Sequence, residues 1–313
     1  MRVVVTGGMG FVGQHLVDHL VSAGDDVTVV DRHGAHQVDI TVPGELRTVL
    51  EAVAPEAVYH LAGWADVGRS WDDPAGAFHL NAVGTLHVLE ACRHASVGRV
   101  LCVASADVYG IVTESELPLD EDAPLRPTSP YAASKVAADA LAQQAFLGYG
   151  QDVIRVRPFN HIGPGQSEAF VAPALAGRIA RAERDGADVV VVGNLSPRRD
   201  LTDVRDVVRA YRLLVEHGEA GEVYNVCSGV DIAVRDLADH LLSIAGRSLR
   251  LEPDASLLRP VDLPVLRGDP HRLQTATGWA PEIPIGQTLH DLLDDLRARV
   301  ALEVPTPATT EAP

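Results

Sequence analysis

A tyrosine and a lysine four positions apart could do chemistry in this 313-residue chain. They lie in YAASK as Tyr131 and Lys135, and this spacing places both side chains on one face of a helix. The ammonium group favours a phenolate, so we expect a tyrosine pKa below its usual value of about 10. Such a phenol can pass a proton to or from a hydroxyl group. A solvated helix face is the alternative, because this spacing is common.

A serine and an aspartate precede this pair at the end of a strand-like run. RVLCVAS ends in Ser105, and the stretch ASADVYG places Asp107 two positions later. The tyrosine–lysine spacing is common by itself, but a strand that ends in a serine before it makes a chance occurrence less expected. Asp107 has two interpretations, a catalytic carboxylate or a hydrogen-bonding residue that shapes the substrate loop.

A glycine-rich turn follows the first strand pattern. TGGMGFVG places Gly7, Gly10 and Gly13 at the opening of a helix, where the backbone can approach a pyrophosphate. The next strand, DVTVV, ends in Asp31, eighteen positions after Gly13, where a carboxylate can accept hydrogen bonds from ribose hydroxyls. Glycines alone would fit a plain structural turn. Strand, turn, helix, strand and acid in this order predict dinucleotide binding.

The acid and its neighbours bear on the choice of cofactor. Asp31 would repel a 2′-phosphate, which favours NAD(H) over NADP(H). Arg32 could stack on adenine or bind that phosphate, so NADP(H) remains open. Asp39 could bind the adenine amino group or serve only as a turn residue.

Short β-branched runs alternate with segments of helical spacing. The runs cover 2–6, 26–30, 57–61, 99–105 and 152–158, and the helical segments include 13–23, 81–94 and 131–147. This alternation predicts an α/β fold, a doubly wound parallel sheet of Rossmann type with a smaller C-terminal substrate-binding lobe. The expected bounds are 1–165 with returning segments from about 200–232, 166–298 for the smaller lobe, and 299–313 for a disordered tail.

The amino-acid composition argues against several classes of binding partner. The net charge of −17 argues against nucleic acid or an anionic membrane surface, since both require clustered Lys and Arg. Three cysteines without paired spacing suggest neither disulfides nor a zinc site, and we expect no metal and a cytoplasmic location. An anionic small ligand must therefore find local arginines.

In order along the chain, TGGMGFVG, LAG, Asn81, ASADVYG, YAASK and RPFNHIGPGQ resemble the extended short-chain dehydrogenase/reductases of the nucleotide-sugar epimerase/dehydratase group. The resemblance implies that Ser105 hydrogen-bonds the reacting sugar oxygen, Tyr131 is the general acid/base, and Lys135 holds the nicotinamide ribose. It places Asn160 at the substrate diphosphate. The full set of expected cofactor-binding residues is Gly7, Gly10, Phe11, Val12, Gly13, Asp31, Arg32, Asp39, Ile40, Leu61, Ala62, Gly63, Asn81, Tyr131, Lys135, Pro158 and His161.

The substrate half most closely resembles the GDP-4-keto-6-deoxy-D-mannose reductases, which make GDP-D-rhamnose, and next the GDP-mannose 4,6-dehydratases. Related dehydratases carry a glutamate where this chain has Asp107, one methylene shorter. Arg199 and Arg259 match diphosphate-binding positions, and Arg178 is either a further contact or a helix-surface charge. A 4-epimerase and a non-catalytic NAD-binding sensor are the remaining alternatives. The resemblance also implies a homodimer through a four-helix bundle formed by the helices 81–94 and 131–147.

Overall fold

The computed structural model of the chain describes residues 1–257 and 263–303. Strands and helices alternate through most of its length. Their bounds are β1 Arg2–Thr6, α1 Phe11–Ser22, β2 Asp26–Asp31, β3 His36–Gln37, α2 Glu45–Val53, β4 Ala57–His60, α3 Pro74–Phe78, α4 Gly84–His94, β5 Arg99–Val103, α5 Pro130–Tyr149, β6 Val153–Pro158, β7 Asn160–Ile162, α6 Val171–Asp185, β8 Val189–Val192, β9 Arg198–Asp203, α7 Val204–His217, β10 Val223–Val226, β11 Asp231–Ala233, α8 Val234–Ala245, β12 Arg250–Pro253, β13 Val265–Leu266, α9 His271–Thr277 and α10 Ile285–Ala301.

Seven parallel strands form the main sheet in the order β10-β6-β5-β4-β1-β2-β3. The chain leaves β1 towards β2 on one side and later returns to β4 on the other, so the direction of winding reverses between β1 and β4. In such sheets a crevice opens at the carboxyl ends of the strands at this reversal. The predicted α/β class with a doubly wound sheet is confirmed.

Two apolar layers cover the sheet. Helices α1 and α7 contribute Leu16, Leu20 and Leu214 to one fully buried layer. Helices α2 and α4 contribute Leu50 and Val88 to the layer on the opposite face. Because both faces are covered, the central strands read as continuous apolar runs.

The second lobe has its own apolar core, formed by α6, α8 and α10 with the short strands β8 and β9. The chain crosses back between the lobes, since α7 packs against α1 while β10 extends the main sheet. Helix α10 continues to Ala301, so it includes Arg299 and Val300, which the sequence had assigned to the tail. The rest of that tail, 304–313, lies outside the described residues.

Two structural features bear on the predicted helices and partners. The predicted helix 81–94 begins as a π-helical turn, His79–Val83, before α4 starts at Gly84. Across the described parts of the chain, no helix is long and apolar enough to cross a membrane.

Candidate active site

A cavity of about 620 Å³ opens at the carboxyl ends of the central strands, beside α6 and α8. Most of the predicted residues line it. They are Gly7, Gly10, Phe11, Val12, Gly13, Asp31, Arg32, Asp39, Ile40, Leu61, Ala62, Gly63, Ser105, Asp107, Tyr131, Lys135, Pro158, Asn160, His161, Arg178 and Arg199. The fold therefore brings residues from the whole length of the chain to one site.

The glycine turn leaves no room for side chains. Gly7 has a φ of +73°, and a Cβ there would lie 2.6 Å from the backbone nitrogen of Ala62. A Cβ on Gly13 would lie 2.2 Å from the carbonyl oxygen of Gly7. Gly10 caps α1 without a side-chain hydrogen bond, so the first N–H groups of the helix are available to an anion. This cradle fits the pyrophosphate of a dinucleotide.

Asp31 is held by the turn that precedes it in the chain. Its carboxylate accepts hydrogen bonds from the backbone N–H of Met9 at 3.1 Å and of Arg32 at 2.7 Å. It lines the cavity beside the exposed Arg32. The position suits hydrogen bonds from ribose hydroxyls.

We expect NADH to bind more tightly than NADPH, because the Asp31 carboxylate repels a 2′-phosphate. Asp31→Ala should shift the ratio of the two dissociation constants towards NADPH by about tenfold, the effect of about 1.4 kcal/mol. Fluorescence titration with both reduced cofactors measures the ratio. A strong preference of the wild type for NADPH would instead make Arg32 the discriminating residue.

The surroundings of Asp39 are compatible with both of its interpretations, a turn residue and a contact to adenine. Its carboxylate accepts hydrogen bonds from the hydroxyl of Thr41 at 2.7 Å and from the Thr41 backbone N–H at 2.9 Å. These bonds hold the pKa of Asp39 below its ordinary value. The residue also lines the cavity, so the turn leaves it within reach of a bound ligand.

Tyr131 and Lys135 lie on the first turns of α5, and both are buried. The helix begins with Pro130 after Ser129, whose hydroxyl accepts a hydrogen bond from Ala132 N–H at 3.1 Å. Lys135 Nζ donates to the carbonyl oxygen of Val103 at 3.0 Å and lies 6.0 Å from the centre of the Tyr131 ring.

The ionisation of the pair differs from the expectation. Burial raises the pKa of the Tyr131 phenol; the charge of Asp107 acts in the same direction, and a hydrogen bond with Ser105 opposes it. Burial also lowers the pKa of Lys135 to about 8. Desolvation disfavours the charged form of each group, and it is the largest cause of both shifts. The predicted lowering of the tyrosine pKa is therefore wrong, and the phenol is protonated at neutral pH.

Asn81 is not brought to the cavity, although the sequence predicts it as a cofactor contact. Its Oδ1 accepts a hydrogen bond from Trp64 N–H at 2.7 Å, and its Nδ2 donates to Ser134 Oγ at 2.8 Å. The side chain is 1% exposed. These bonds join the loop after β4 to helix α5, so the position of Asn81 suits holding that loop rather than touching a ligand.

The loop that Asn81 holds was missed in the sequence. Its residues Trp64, Asp66, Val67 and Trp71 line the cavity. Within this loop the fully buried Ser70 accepts a hydrogen bond from the backbone N–H of Tyr131 at 3.2 Å. The signal available was its position, since loops at the carboxyl ends of parallel strands form such sites.

Two buried acceptors in the cavity wall lack partners. Asn160 Oδ1 and Gln166 Oε1 have no hydrogen bond within the described residues, and both side chains line the cavity. His161 stacks on Phe11 with ring centres 6.0 Å apart, and burial lowers its pKa. Buried acceptors are rarely left without a partner, so water or a ligand that carries hydrogen-bond donors would satisfy these two oxygens. Gln166 was not singled out in the sequence.

The predicted arginines lie in the second lobe. Arg178 is half-buried on α6 and lines the cavity, so it is not only a surface charge, and its Nη1 donates to the carbonyl oxygen of Val191 at 3.1 Å. Arg199 also lines the cavity, and its Nη1 donates to the carbonyl oxygen of Leu263 at 2.7 Å. Arg259, the third predicted arginine, lies outside the described residues.

A protein-family model described as NAD dependent epimerase/dehydratase family matches residues 3–227. The chain belongs to the NAD dependent epimerase/dehydratase family. The family predicted from the glycine turn, YAASK and RPFNHIGPGQ is therefore confirmed.

Two relatives within this epimerase/dehydratase family match nearly the whole chain. GDP-6-deoxy-D-mannose reductase of Pseudomonas aeruginosa is 40% identical over 304 residues, which cover 96% of this chain and 99% of that protein. UDP-glucose 4-epimerase of Mycolicibacterium smegmatis is 32% identical over 322 residues, covering 95% of this chain and 99% of that protein.

Solved structures agree with the family and the cofactor. RMD from Pseudomonas aeruginosa complexed with NADPH has a TM-score of 0.88 and 41% identity, covering 95% of this chain and 99% of that chain. UDP-glucose 4-epimerase of Thermus thermophilus in complex with NAD has a TM-score of 0.84 and 30% identity, again covering 95% and 99%. The prediction of NAD(P)H as the cofactor class is confirmed.

Proposed function

We propose that this chain reduces C4 of GDP-4-keto-6-deoxy-D-mannose with NAD(P)H and so forms GDP-D-rhamnose. The observation that carries the proposal is the cavity, which brings Ser105, Tyr131 and Lys135 together beside the glycine turn. A protonated phenol is the donor that a ketone oxygen needs as it becomes a hydroxyl. The similarity to GDP-6-deoxy-D-mannose reductase supports the same reaction.

Each catalytic residue has a distinct part in this reaction. The bound cofactor supplies a hydride to C4. Tyr131 donates its phenol proton to the C4 oxygen, so the ketone gains one hydride and one proton and becomes a secondary alcohol. Ser105 hydrogen-bonds the same oxygen and orients the sugar. Lys135, anchored on the carbonyl oxygen of Val103, holds the nicotinamide ribose.

The two lobes divide the ligands between them in this proposal. Residues 1–165, with the segments that return through 200–232, bind the cofactor, and residues 166–298 bind most of the GDP-sugar. Arg178 and Arg199 are the cations that line the cavity on the second lobe, and an acidic protein needs such local donors for a diphosphate. The unpartnered oxygens of Asn160 and Gln166 suit the hydroxyls of the sugar.

A GDP-mannose 4,6-dehydratase is the second candidate, because Asp107 lines the cavity at the position of a dehydratase base. One observation weighs against it. Ala106 is buried and supplies no second acid or hydroxyl group.

The stoichiometry of the cofactor distinguishes the two reactions. We expect the wild type to oxidise one NADH or NADPH for each 4-keto-6-deoxy sugar nucleotide consumed and to form no keto sugar from GDP-mannose. Asp107→Asn should keep kcat within about threefold of wild type, because Tyr131 supplies the one proton required. Absorbance of the reduced cofactor, with mass and NMR analysis of the products, measures both.

The opposite pattern would identify a dehydratase. Keto sugar would then form from GDP-mannose without net cofactor use, since a dehydratase recycles its cofactor within one turnover. Asp107→Asn would lose the C5 base and about 100-fold or more of the rate. Incubation of each enzyme with GDP-mannose and with the keto sugar in parallel provides the comparison.

We further propose a cytoplasmic homodimer that assembles through a four-helix bundle of α4 and α5. Helix α5 exposes Ala133, Ala140 and Leu147, which are seven positions apart and so lie on one face. Leu147 is 72% exposed, unusual for a leucine without an apolar partner. The three cysteines are buried free thiols, which suits a reducing compartment.

A further inference from the structure

Tyr211 is a buried residue of α7 that the proposed reaction does not use. Its side chain is fully buried, and its ring belongs to the apolar layer that includes Leu16 and Leu101. Its hydroxyl has no hydrogen-bond partner within the described residues. The residue nevertheless belongs to the lining of the cavity, so a partner for its hydroxyl is to be sought there.

A phenol hydroxyl in this position lowers the stability of the protein when no ligand is bound. Burial of a hydroxyl without a partner costs stability, whereas a phenylalanine ring of the same shape would carry no such cost. Burial also raises the pKa of Tyr211, so the group remains a neutral phenol that can both donate and accept. A ligand with a matching polar group would remove the penalty.

The position of Tyr211 relative to the strands indicates which end of the cofactor lies near its hydroxyl. Its ring packs in the same layer as Leu61, just after β4, and Val103, the last residue of β5, and it lines the same cavity as Tyr131. The adenosine side is marked by Asp31 at the end of β2, which is three strands away from β5. Three strand spacings are about 14 Å. The Tyr211 hydroxyl therefore belongs to the nicotinamide end.

We propose that the hydroxyl of Tyr211 binds the carboxamide group of the nicotinamide. The carboxamide carries a donor and an acceptor, which match the two hydrogen-bonding functions of a neutral phenol. Tyr211 is thus a cofactor-binding residue contributed by α7, a helix outside the glycine turn and outside YAASK. From α7, its side chain reaches towards the ends of β4 and β5. It therefore contacts the nicotinamide from the face of the sheet opposite α5.

Tyr211→Phe tests this contact by removing only the hydroxyl. We expect the dissociation constant for NADH to rise about threefold to tenfold, the loss of one hydrogen bond between neutral groups. The affinity for ADP-ribose, which lacks the nicotinamide, should stay at the wild-type value. The melting temperature of the protein without ligand should not fall, because a buried unpartnered group has been removed.

Tyr59→Phe is the matched control. Tyr59 is also a fully buried tyrosine whose hydroxyl has no partner within the described residues, but it does not line the cavity. This variant should bind both NADH and ADP-ribose as the wild type does. Isothermal titration of the full-length wild type and both variants, each with NADH and with ADP-ribose, measures the six dissociation constants.

Two outcomes would overturn the inference. Unchanged NADH affinity in Tyr211→Phe would mean that the hydroxyl does not meet the cofactor. An equal loss of affinity for NADH and ADP-ribose would mean a general disturbance of the cavity. No sugar is present in these titrations, so their result is independent of whether the chain reduces GDP-4-keto-6-deoxy-D-mannose.

Discussion

Tyr131→Phe should lower kcat for reduction of the keto sugar by about 100- to 10,000-fold, the usual contribution of a positioned acid. The substitution removes the phenol proton and leaves the ring, which is 8% exposed and packed at the start of α5. Hydride can still approach C4, but the developing alkoxide loses the phenol that protonates it. The dissociation constant for NADH should change by less than about threefold, because only proton transfer is lost.

The control for this variant lies on the same helix. Tyr149 is 62% exposed at the end of α5 and is not part of the cavity lining, so Tyr149→Phe should leave kcat unchanged. Steady-state kinetics with saturating cofactor, together with a titration of NADH, separate chemistry from binding. A Tyr131→Phe enzyme that keeps a tenth of the wild-type rate would remove Tyr131 from its role as proton donor.

Gly13→Ala should raise the dissociation constant for NADH by more than about 100-fold. The new Cβ would lie 2.2 Å from the carbonyl oxygen of Gly7 and 2.7 Å from the Cα of Gly8, and both of these atoms belong to the backbone. The turn must therefore move away from α1, and the N–H groups that receive the pyrophosphate lose their arrangement. Binding titrations and the melting temperature without ligand separate lost affinity from lost folding.

A glycine on another helix provides the matched control. Gly148 lies in α5, and a Cβ there would meet only the end of the flexible Gln144 side chain. Gly148→Ala should therefore retain NADH affinity and gain up to about 1 kcal/mol of stability from better helix propensity. If Gly13→Ala binds NADH as tightly as Gly148→Ala does, the glycine turn does not hold the pyrophosphate.

Much of the fold follows from patterns that are local in sequence. The β-branched run at 2–6 became β1 with the same bounds, and the run at 152–158 became β6 after its first residue. Helix α5 begins at Pro130, one residue before the predicted start, with Ser129 as its N-cap. These features depend on neighbours within a few positions, so the sequence is enough to predict them.

The glycine turn and YAASK are local in the same sense. Gly7 and Gly13 belong to one turn, and Tyr131 and Lys135 to one helix face, so their spacing identified both parts of the site. The order of these motifs also identified the family. The sequence by itself therefore determined the class of fold and the cofactor class, and it singled out a tyrosine that lines the cavity.

Only the tertiary structure decided the environment of these residues. Tyr131 and Lys135 are buried, and desolvation raises the pKa of Tyr131 where the spacing predicted a lower one. Asn81 turned towards Trp64 and Ser134 rather than the cavity, while Tyr211 reached the cavity from a helix far along the chain. Burial, charge and hydrogen-bond partners depend on groups that are distant in sequence, so no local pattern contains them.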